Sequence, residues 1–134
     1  MAEIAGEGGQ DQKADIICLQ EVDQYEEFYG PKLSELGYEC ILNYREPDAA
    51  LVGWDKNKFK LISKKDINYN DIITCPKYEK FSPSLSQSDN VGVIALLQNL
   101  ETKSHVLAVS THLFFNPNFD HQKFAQTYWL LLSL

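Results

Sequence analysis

Two polar residues stand where apolar segments of the 134-residue sequence end, and both could take part in chemistry. Glu21 follows the segment IICLQ, and His112 follows VLAVST. Proteins bind Mg²⁺ through one or two carboxylates, while waters and often a substrate phosphate complete the coordination. A histidine beside such an ion can donate a hydrogen bond to a phosphate oxygen. The pair is compatible with a site for phosphate esters, although a solvated turn acid and a structural histidine are the alternative interpretations.

Two further polar residues begin apolar segments. Asp48 opens DAALVGW, and Asn90 opens NVGVIALLQN, the expected neighbour of the strand that ends at His112. Ligands in layered α/β folds gather at strand ends, where a rigid sheet holds side chains that solvent can still reach. Both residues are therefore candidates for the same site, and the alternative for Asp48 is a turn residue after Pro47.

The first half of the chain predicts one strand, one helix and three more strands. Residues 15–20 are apolar on both faces, which predicts an inner strand covered on both sides. Residues 24–37 predict an amphipathic helix, kinked at Gly30-Pro31 and ended by Gly37. Residues 38–43, 48–55 and 60–69 then read as consecutive antiparallel strands with short connections.

The second half predicts a long loop, two strands and a helix. Residues 70–89 are polar and irregular, residues 90–99 and 105–112 are strand-like, and a helix follows Asn118 and Asp120 as plausible caps. Its apolar residues at helical spacing are Phe124, Tyr128, Leu131 and Leu132. The order predicts an α/β (α+β) fold with mixed, mostly antiparallel sheets. Residues 1–13 read as a flexible segment and 14–134 as one domain.

Composition excludes several classes of protein. A net charge of −7 does not attract nucleic acid non-specifically, so an RNA contact needs a bound metal or a locally basic groove. No apolar run is long enough to span a membrane, and the N-terminus has no secretory signal pattern. The three cysteines lack metal-ligand spacing and are expected to be buried, reduced thiols. We expect a cytoplasmic protein, with a nuclear or mitochondrial location left open.

Four segments together resemble one family. They are CLQEV (18–22), PDAALVGWDKNKFKLIS (47–63), DNVGVIALLQ (89–98) and STHLFFNP (110–117), followed by DHQKFAQ (120–126). The sequence resembles the magnesium-dependent endonuclease/exonuclease/phosphatase superfamily. Within it, the sequence is most similar to the carbon-catabolite-repressor-4-like, Angel-like and nocturnin-like deadenylases. The resemblance implies part of a four-layer α/β sandwich over residues 14–134.

The resemblance also implies roles for individual residues. Glu21 matches the glutamate that binds catalytic magnesium, for which manganese is the alternative ion, and His112 matches the histidine that contacts the scissile phosphate. Pro117 matches a proline near the terminal base, and Asp48 stands where related nucleases place an acid that orients the histidine. Asn90 is a further candidate for holding Glu21 or the phosphate.

The implied function is hydrolysis of RNA 3′ ends, with poly(A) or adenylate-rich RNA as substrate. The family's early "YN-L" motif and its later "GD-N" and "SDH" motifs, which supply the residues around the attacking water and a second histidine, are not found in this sequence. We therefore expect a truncated domain that lacks activity by itself. Two alternatives are a non-catalytic interaction fragment and another phosphodiesterase of the superfamily, acting on a phosphoinositide, a sphingolipid or damaged DNA.

Overall fold

The structure, a computed structural model, describes residues 12–79, 85 and 87–134, and it contains two three-stranded antiparallel sheets. Most of the predicted flexible segment, residues 1–13, lies outside the described residues. The strands are β1 (Ile16–Val22), β2 (Tyr38–Arg45), β3 (Asp48–Asp55), β4 (Phe59–Asn68), β5 (Val91–Asn99) and β6 (His105–Thr111). The helices are α1 (Gly30–Glu35), α2 (Asp71–Thr74) and α3 (Asp120–Ser133), with a π-helical turn over Tyr25–Tyr29 and a 3-10 turn over Pro76–Tyr78.

The main core lies between the two sheets, whose strand orders are β1-β3-β2 and β4-β5-β6. The central strands β3 and β5 are buried along most of their length because each is covered on both faces. The inner layer is formed by Ala50, Val52, Trp54, Phe59, Val93, Ala95, Leu97 and Ala108. Burial of this set provides the hydrophobic stabilisation that holds the sheets face to face.

Helices cover the outer face of each sheet, so the described chain has the four layers that were predicted. Leu33 of α1 packs with Leu51 of β3 on the outer face of the first sheet. Trp129 and Leu130 of α3 pack against Ile67 and Ile94 on the outer face of the second sheet. The predicted α/β fold with mostly antiparallel sheets is confirmed.

Two predictions about the strands are wrong. β1 is an edge strand of its sheet, not an inner strand, and its Cys18 is exposed. β3 and β4 do not pair, because the turn after Asp55 carries the chain from one sheet to the other. Apolar alternation reports that a strand is covered, and it contains no information about which strand becomes its neighbour.

Two predictions about the helices also need correction. The loop over residues 70–89 contains α2 and the 3-10 turn, and residues 80–84 and 86 of it lie outside the described residues. In α3 the predicted apolar face is the exposed one, with Phe124 74% and Leu131 61% exposed. The buried positions of α3 are Gln122 and Gln126, and neither predicted capping residue makes a side-chain cap.

The cysteines are unpaired as expected, but none of the three is buried, and Cys18 is exposed. Cys18, Cys40 and Cys75 are all free thiols. Burial, and after it the charge of Glu39, raises the pKa of the Cys40 thiol to about 11, so this side chain remains protonated at neutral pH. Among the described residues, no helix combines the length and the hydrophobicity that crossing a lipid bilayer requires.

The expected N-terminal end of the domain is tied to the turn after β3 by Asp55. The Asp55 carboxylate accepts hydrogen bonds from the Asn57 backbone N–H at 2.9 Å and from Lys13 Nζ at 3.0 Å. These two bonds favour the ionised form and lower the pKa of Asp55 below its ordinary value. The ionised Asp55 carboxylate therefore contributes its full stabilisation of the folded state above its unfolded-state pKa of about 4. This contribution is lost as the pH falls through the lower pKa that Asp55 has in the folded state.

We predict that Asp55→Asn reduces the loss of unfolding free energy on acidification, because the variant has no carboxylate to protonate there. Urea unfolding at pH 6 and at steps down to pH 2 measures this dependence. Glu101→Gln, which removes an exposed turn carboxyl, is the matched control and should retain the wild-type pH dependence. Parallel pH curves for wild type and Asp55→Asn would contradict the assignment.

Candidate active site

The ends of β1 and β6 lie side by side, although the two strands belong to different sheets. Gln20 Nε2 donates a hydrogen bond to Ser110 Oγ at 2.9 Å, and Ser110 Oγ donates to the Leu19 carbonyl oxygen at 2.8 Å. Ser110 is only 1% exposed, whereas Gln20 is exposed, so the bridge is buried on the β6 side alone. We call this pair of contacts the Gln20–Ser110 bridge. Glu21 and His112 follow the residues of the bridge closely in the sequence. The bridge therefore fixes the main-chain positions from which the two side chains project.

Glu21 has a backbone conformation that few glutamates adopt. Its φ angle is +55°, in the left-handed region, and the pairing of β1 with β3 shifts register between Leu19 and Val22. Val22 is buried at 1% exposure, so the chain is anchored on both sides of Glu21. A bulge of this kind redirects a side chain at a strand end, and left-handed residues other than glycine concentrate at functional sites. The carboxylate consequently projects into solvent, with 70% of the side chain exposed.

The structure brings Glu21 and His112 together. Glu21 Oε1 lies 3.9 Å from His112 Nδ1, and 39% of the His112 side chain is exposed. This distance exceeds a hydrogen bond, so the attraction is electrostatic and requires a protonated imidazole. The arrangement leaves oxygen and nitrogen atoms facing solvent at one point of the surface. Their proximity was predicted from two segments about ninety residues apart in the sequence, whereas their roles stay predictions.

A buried glutamine of α3 holds the loop that follows His112. Gln126 Oε1 accepts a hydrogen bond from the Phe114 backbone N–H at 2.7 Å. Gln126 Nε2 donates to Asn90 Oδ1 at 3.2 Å and to Ser88 Oγ at 3.1 Å, and the residue is 1% exposed. A buried amide with these bonds fixes three segments relative to one another. The sequence reasoning missed this role, although Gln126 lies within the DHQKFAQ segment.

Asn90 and Asp48 each have a side-chain partner outside the Glu21–His112 pair. Asn90 is 6% exposed and its amide oxygen accepts a hydrogen bond from Gln126, so Gln126 holds it in place, while a role of Asn90 toward Glu21 or the phosphate stays a prediction. Asp48 Oδ1 lies 3.1 Å from Arg45 Nε across the β2–β3 turn, which makes Arg45 its charged partner in the described part of the chain. One carboxylate oxygen of Asp48 is thus engaged by Arg45, and an orienting contact from Asp48 to His112 stays a prediction.

Pro117 lies in an exposed turn five residues after His112. The turn is closed by the Phe119 backbone N–H, which donates to the Asn116 carbonyl oxygen at 3.2 Å. The Asn116 side chain accepts from the Asn118 backbone N–H at 2.9 Å. These bonds order the turn, and contact between Pro117 and a base stays a prediction.

The donor set is compatible with magnesium but not with a cation that needs several protein ligands. Among the described residues, no group of three or more His, Cys, Asp or Glu side chains could hold a metal ion. Glu21 offers one exposed carboxylate beside an imidazole. Mg²⁺ keeps most of its waters and is often bound through one or two carboxylates and a substrate phosphate. Glu21 alone can therefore be its protein ligand among the described residues.

We predict that Glu21→Asn stabilises the fold by about 1 kcal/mol, because asparagine tolerates the left-handed conformation better than glutamate. The same change should weaken magnesium binding, since an amide replaces the carboxylate. Chemical unfolding and a magnesium titration followed by NMR measure the two effects. Glu21→Ala is the control: it removes the carboxylate without favouring the left-handed conformation. A loss of stability in Glu21→Asn would show that the conformation is not strained.

We predict that Ser110→Ala costs about 1–3 kcal/mol of unfolding free energy, because the Leu19 carbonyl and the Gln20 amide both lose their buried partner. Urea unfolding measures the cost. Ser104→Ala, in the exposed turn before β6, serves as the control and should change stability little. Equal effects of the two substitutions would show that the bridge does not hold the sheets together.

Comparison with known proteins supports the family resemblance. The chain is 34% identical over 129 residues to protein angel homolog 2 of Danio rerio, and the matched region covers 90% of this chain and 21% of that protein. It is 30% identical over 136 residues to the CCR4-Not complex 3′-5′-exoribonuclease subunit Ccr4 of Mycosarcoma maydis, covering 88% of this chain and 20% of that protein. The chain thus spans about a fifth of the length of these curated relatives. No protein-family model matches it.

Solved structures show the same similarity in three dimensions. The human nocturnin catalytic domain superimposes with a TM-score of 0.74 at 24% identity, over 89% of this chain and 44% of that one, which establishes the fold. ANGEL2, described as a 2′,3′-cyclic phosphatase, superimposes with a TM-score of 0.73 at 30% identity, over 90% of this chain and 34% of that one. The chain therefore belongs to the endonuclease/exonuclease/phosphatase superfamily and, within it, to the branch of the carbon-catabolite-repressor-4, Angel and nocturnin proteins.

Proposed function

We propose that this chain provides the magnesium- and phosphate-binding part of a phosphodiesterase that hydrolyses RNA at its 3′ end. The observation that carries the proposal is the 3.9 Å approach of the Glu21 carboxylate to the His112 imidazole at the joined strand ends. Its support from relatives is the similarity to a protein named as a 3′-5′-exoribonuclease subunit. Since the chain spans a fifth of that protein, the complete reaction is part of the proposal.

Each residue would have a distinct task. Glu21 would hold magnesium, and the ion would supply positive charge at the phosphate group. His112 donates a hydrogen bond to a phosphate oxygen, and its backbone N–H, which donates to the Val91 carbonyl oxygen at 3.4 Å, ties its main chain to β5. Pro117 offers an apolar surface to the terminal base. The Gln20–Ser110 bridge keeps the two functional side chains at one place.

We expect the 134-residue chain to bind magnesium and a phosphate group without hydrolysing RNA. The described part of the site contributes one carboxylate and one imidazole, which can bind an ion and a phosphate. Hydrolysis also requires a group that positions and deprotonates the attacking water. We expect oligoadenylate to remain intact in the presence of the chain and magnesium, and a hydrolytic activity that survives Glu21→Gln would contradict the assignment of Glu21.

A second candidate is hydrolysis of terminal 2′,3′-cyclic phosphates. It is favoured by the similarity to ANGEL2, which has that activity in its description and was solved with adenosine-2′,3′-vanadate. Both reactions act on a phosphate ester, for which Glu21 would hold the metal and His112 would donate a hydrogen bond, so the same two residues would serve either one. The two candidates differ in the nucleotide end that the site prefers.

We predict that magnesium shifts the backbone NMR signals of Val22 and His112. Glu21→Gln should raise the magnesium dissociation constant obtained from these shifts at least about tenfold, since the charged ligand is lost. Glu101→Gln, an exposed acid in the turn before β6, is the matched control and should respond as wild type does. Identical titrations for wild type and Glu21→Gln would overturn the proposed metal site and favour an interaction fragment.

The nucleotide preference is tested in the same samples. With magnesium present, adenosine 5′-monophosphate and adenosine 2′,3′-cyclic monophosphate are titrated separately, and signals next to His112 and Pro117 are followed. Tighter binding of the linear phosphate supports 3′-end hydrolysis, and tighter binding of the cyclic phosphate supports the second candidate. Shifts that persist unchanged in His112→Ala would remove His112 from the phosphate site.

A further inference from the structure

A buried tyrosine lies beneath the main chain that carries His112. Tyr69 follows β4 and is 2% exposed, and its ring packs with Ile67 and Ile94 on the outer face of the second sheet. Leu113, the residue after His112, packs against the same cluster. A phenylalanine ring would provide the same apolar surface for this packing. The hydroxyl group of Tyr69 therefore needs a separate explanation.

The Tyr69 hydroxyl begins a series of hydrogen bonds that ends at His112. Tyr69 Oη lies 2.5 Å from Thr111 Oγ1, and Thr111 Oγ1 donates to the Val91 carbonyl oxygen at 3.5 Å. The same carbonyl oxygen accepts from the His112 backbone N–H at 3.4 Å. Because a carbonyl oxygen only accepts, the Thr111 proton is directed to Val91, and Tyr69 donates to Thr111. We call these three contacts the Tyr69 relay.

The Tyr69 relay lies where the regular pairing of β5 with β6 stops. The last paired residues at this end are Gly92 and Thr111, and His112 is the next residue. A Cβ atom at Gly92 would lie 3.0 Å from Thr111 Oγ1, so the glycine leaves the space that the threonine hydroxyl occupies. The two contacts to Val91 are at the long limit of a hydrogen bond, which makes the contact with Tyr69 the shortest of the three.

The end of β6 is held on both of its faces. Successive residues of a strand point to opposite faces of the sheet, so Ser110 and Thr111 make their contacts on opposite sides. Ser110 forms the Gln20–Ser110 bridge between the sheets, and Thr111 meets Tyr69 on the outer face. Burial raises the pKa of Tyr69, so its hydroxyl remains a protonated donor at neutral pH.

The main chain is what can orient the His112 ring in the described residues. Glu21 Oε1 lies 3.9 Å from Nδ1, which exceeds a hydrogen bond, and no other side chain in the described part of the protein is hydrogen-bonded to the ring. The rotamers open to a side chain depend on the φ and ψ angles of its own residue. The direction of the imidazole consequently depends on how firmly the main chain at Thr111 and His112 is held.

We propose that Tyr69 is a positioning residue, which acts through Thr111 to hold the His112 imidazole in one orientation, aimed at the substrate phosphate. The role toward the phosphate rests on the proposed function of His112, whereas the orientation of the ring does not. Tyr69 itself is too deeply buried to touch a substrate. The candidate site then extends from the exposed strand ends into the layer between the second sheet and α3.

The orientation of His112 is measured without any ligand. Three-bond NMR couplings from Cγ of His112 to its backbone nitrogen and carbonyl carbon report the χ1 rotamer of the side chain. We expect one dominant rotamer in wild type and averaged couplings in Tyr69→Phe, which removes only the hydroxyl group. Thr111→Val should produce the same averaging. Thr111→Ser retains a hydroxyl group and should keep the wild-type rotamer.

Tyr38→Phe is the matched control. Tyr38 is also buried, at 9% exposure, and its hydroxyl donates to the Ala14 carbonyl oxygen at 2.6 Å, at the opposite ends of the strands. The change removes the same atom from a comparable hydrogen bond and should leave the His112 couplings as they are in wild type. Urea unfolding shows that every variant is folded. A Tyr69→Phe variant that loses stability with unchanged couplings would have lost a structural bond only, which overturns the proposal.

Titration with adenosine 5′-monophosphate in the presence of magnesium separates this proposal from the proposed function. Tyr69→Phe should raise the nucleotide dissociation constant about three- to tenfold and leave the magnesium dissociation constant at Glu21 unchanged. Equal nucleotide binding by wild type and His112→Ala would remove the phosphate role of His112, while the couplings still decide whether Tyr69 positions the ring. Averaged couplings with unchanged nucleotide affinity, where His112→Ala does weaken binding, would overturn the claim that the orientation serves the phosphate.

Discussion

The Gln20–Ser110 bridge is the interaction on which the rest of the site depends. It joins two sheets that share no backbone pairing, through two part-buried hydrogen bonds of 2.9 and 2.8 Å to the buried Ser110 hydroxyl. Hydrophobic burial brings the sheets face to face, but burial is not directional and tolerates sliding. The directional hydrogen bonds of Ser110 prevent the sheets from sliding at the strand ends that carry Glu21 and His112.

Around the bridge, two residues adopt energetically unfavourable arrangements that a purely structural domain would not need. Glu21 adopts a left-handed backbone conformation, and Gln126 places a polar amide in the interior of the helix–sheet interface. The amide is compensated by three hydrogen bonds, whereas the backbone strain of Glu21 has no such compensation. Strain that is retained at an exposed carboxylate beside an imidazole is consistent with selection for a function rather than for stability alone.

Much of the fold could be predicted from the sequence because periodicity and strand ends are local signals. All six strands, the helical region ended by Gly37 and the last helix correspond to patterns of apolar residues. The edge position of β1 could not be predicted, since pairing depends on residues distant in sequence. The face of α3 was misassigned because Gln126 is buried by its hydrogen bonds, while Phe124 remains exposed. Within the site, Glu21 and His112 were found through their motifs, but the partners of Asp48 and Asn90 depend on side-chain geometry.

The central claim is that the ends of β1 and β6 form one shared site, and paramagnetic relaxation by Mn²⁺ tests it most directly. Substoichiometric Mn²⁺ bound at Glu21 should broaden the amide signals of both Val22 and His112, which lie about ninety residues apart in the chain. The broadening should disappear in Glu21→Gln. Broadening of Val22 without His112, or equal broadening in the variant, would contradict the shared site.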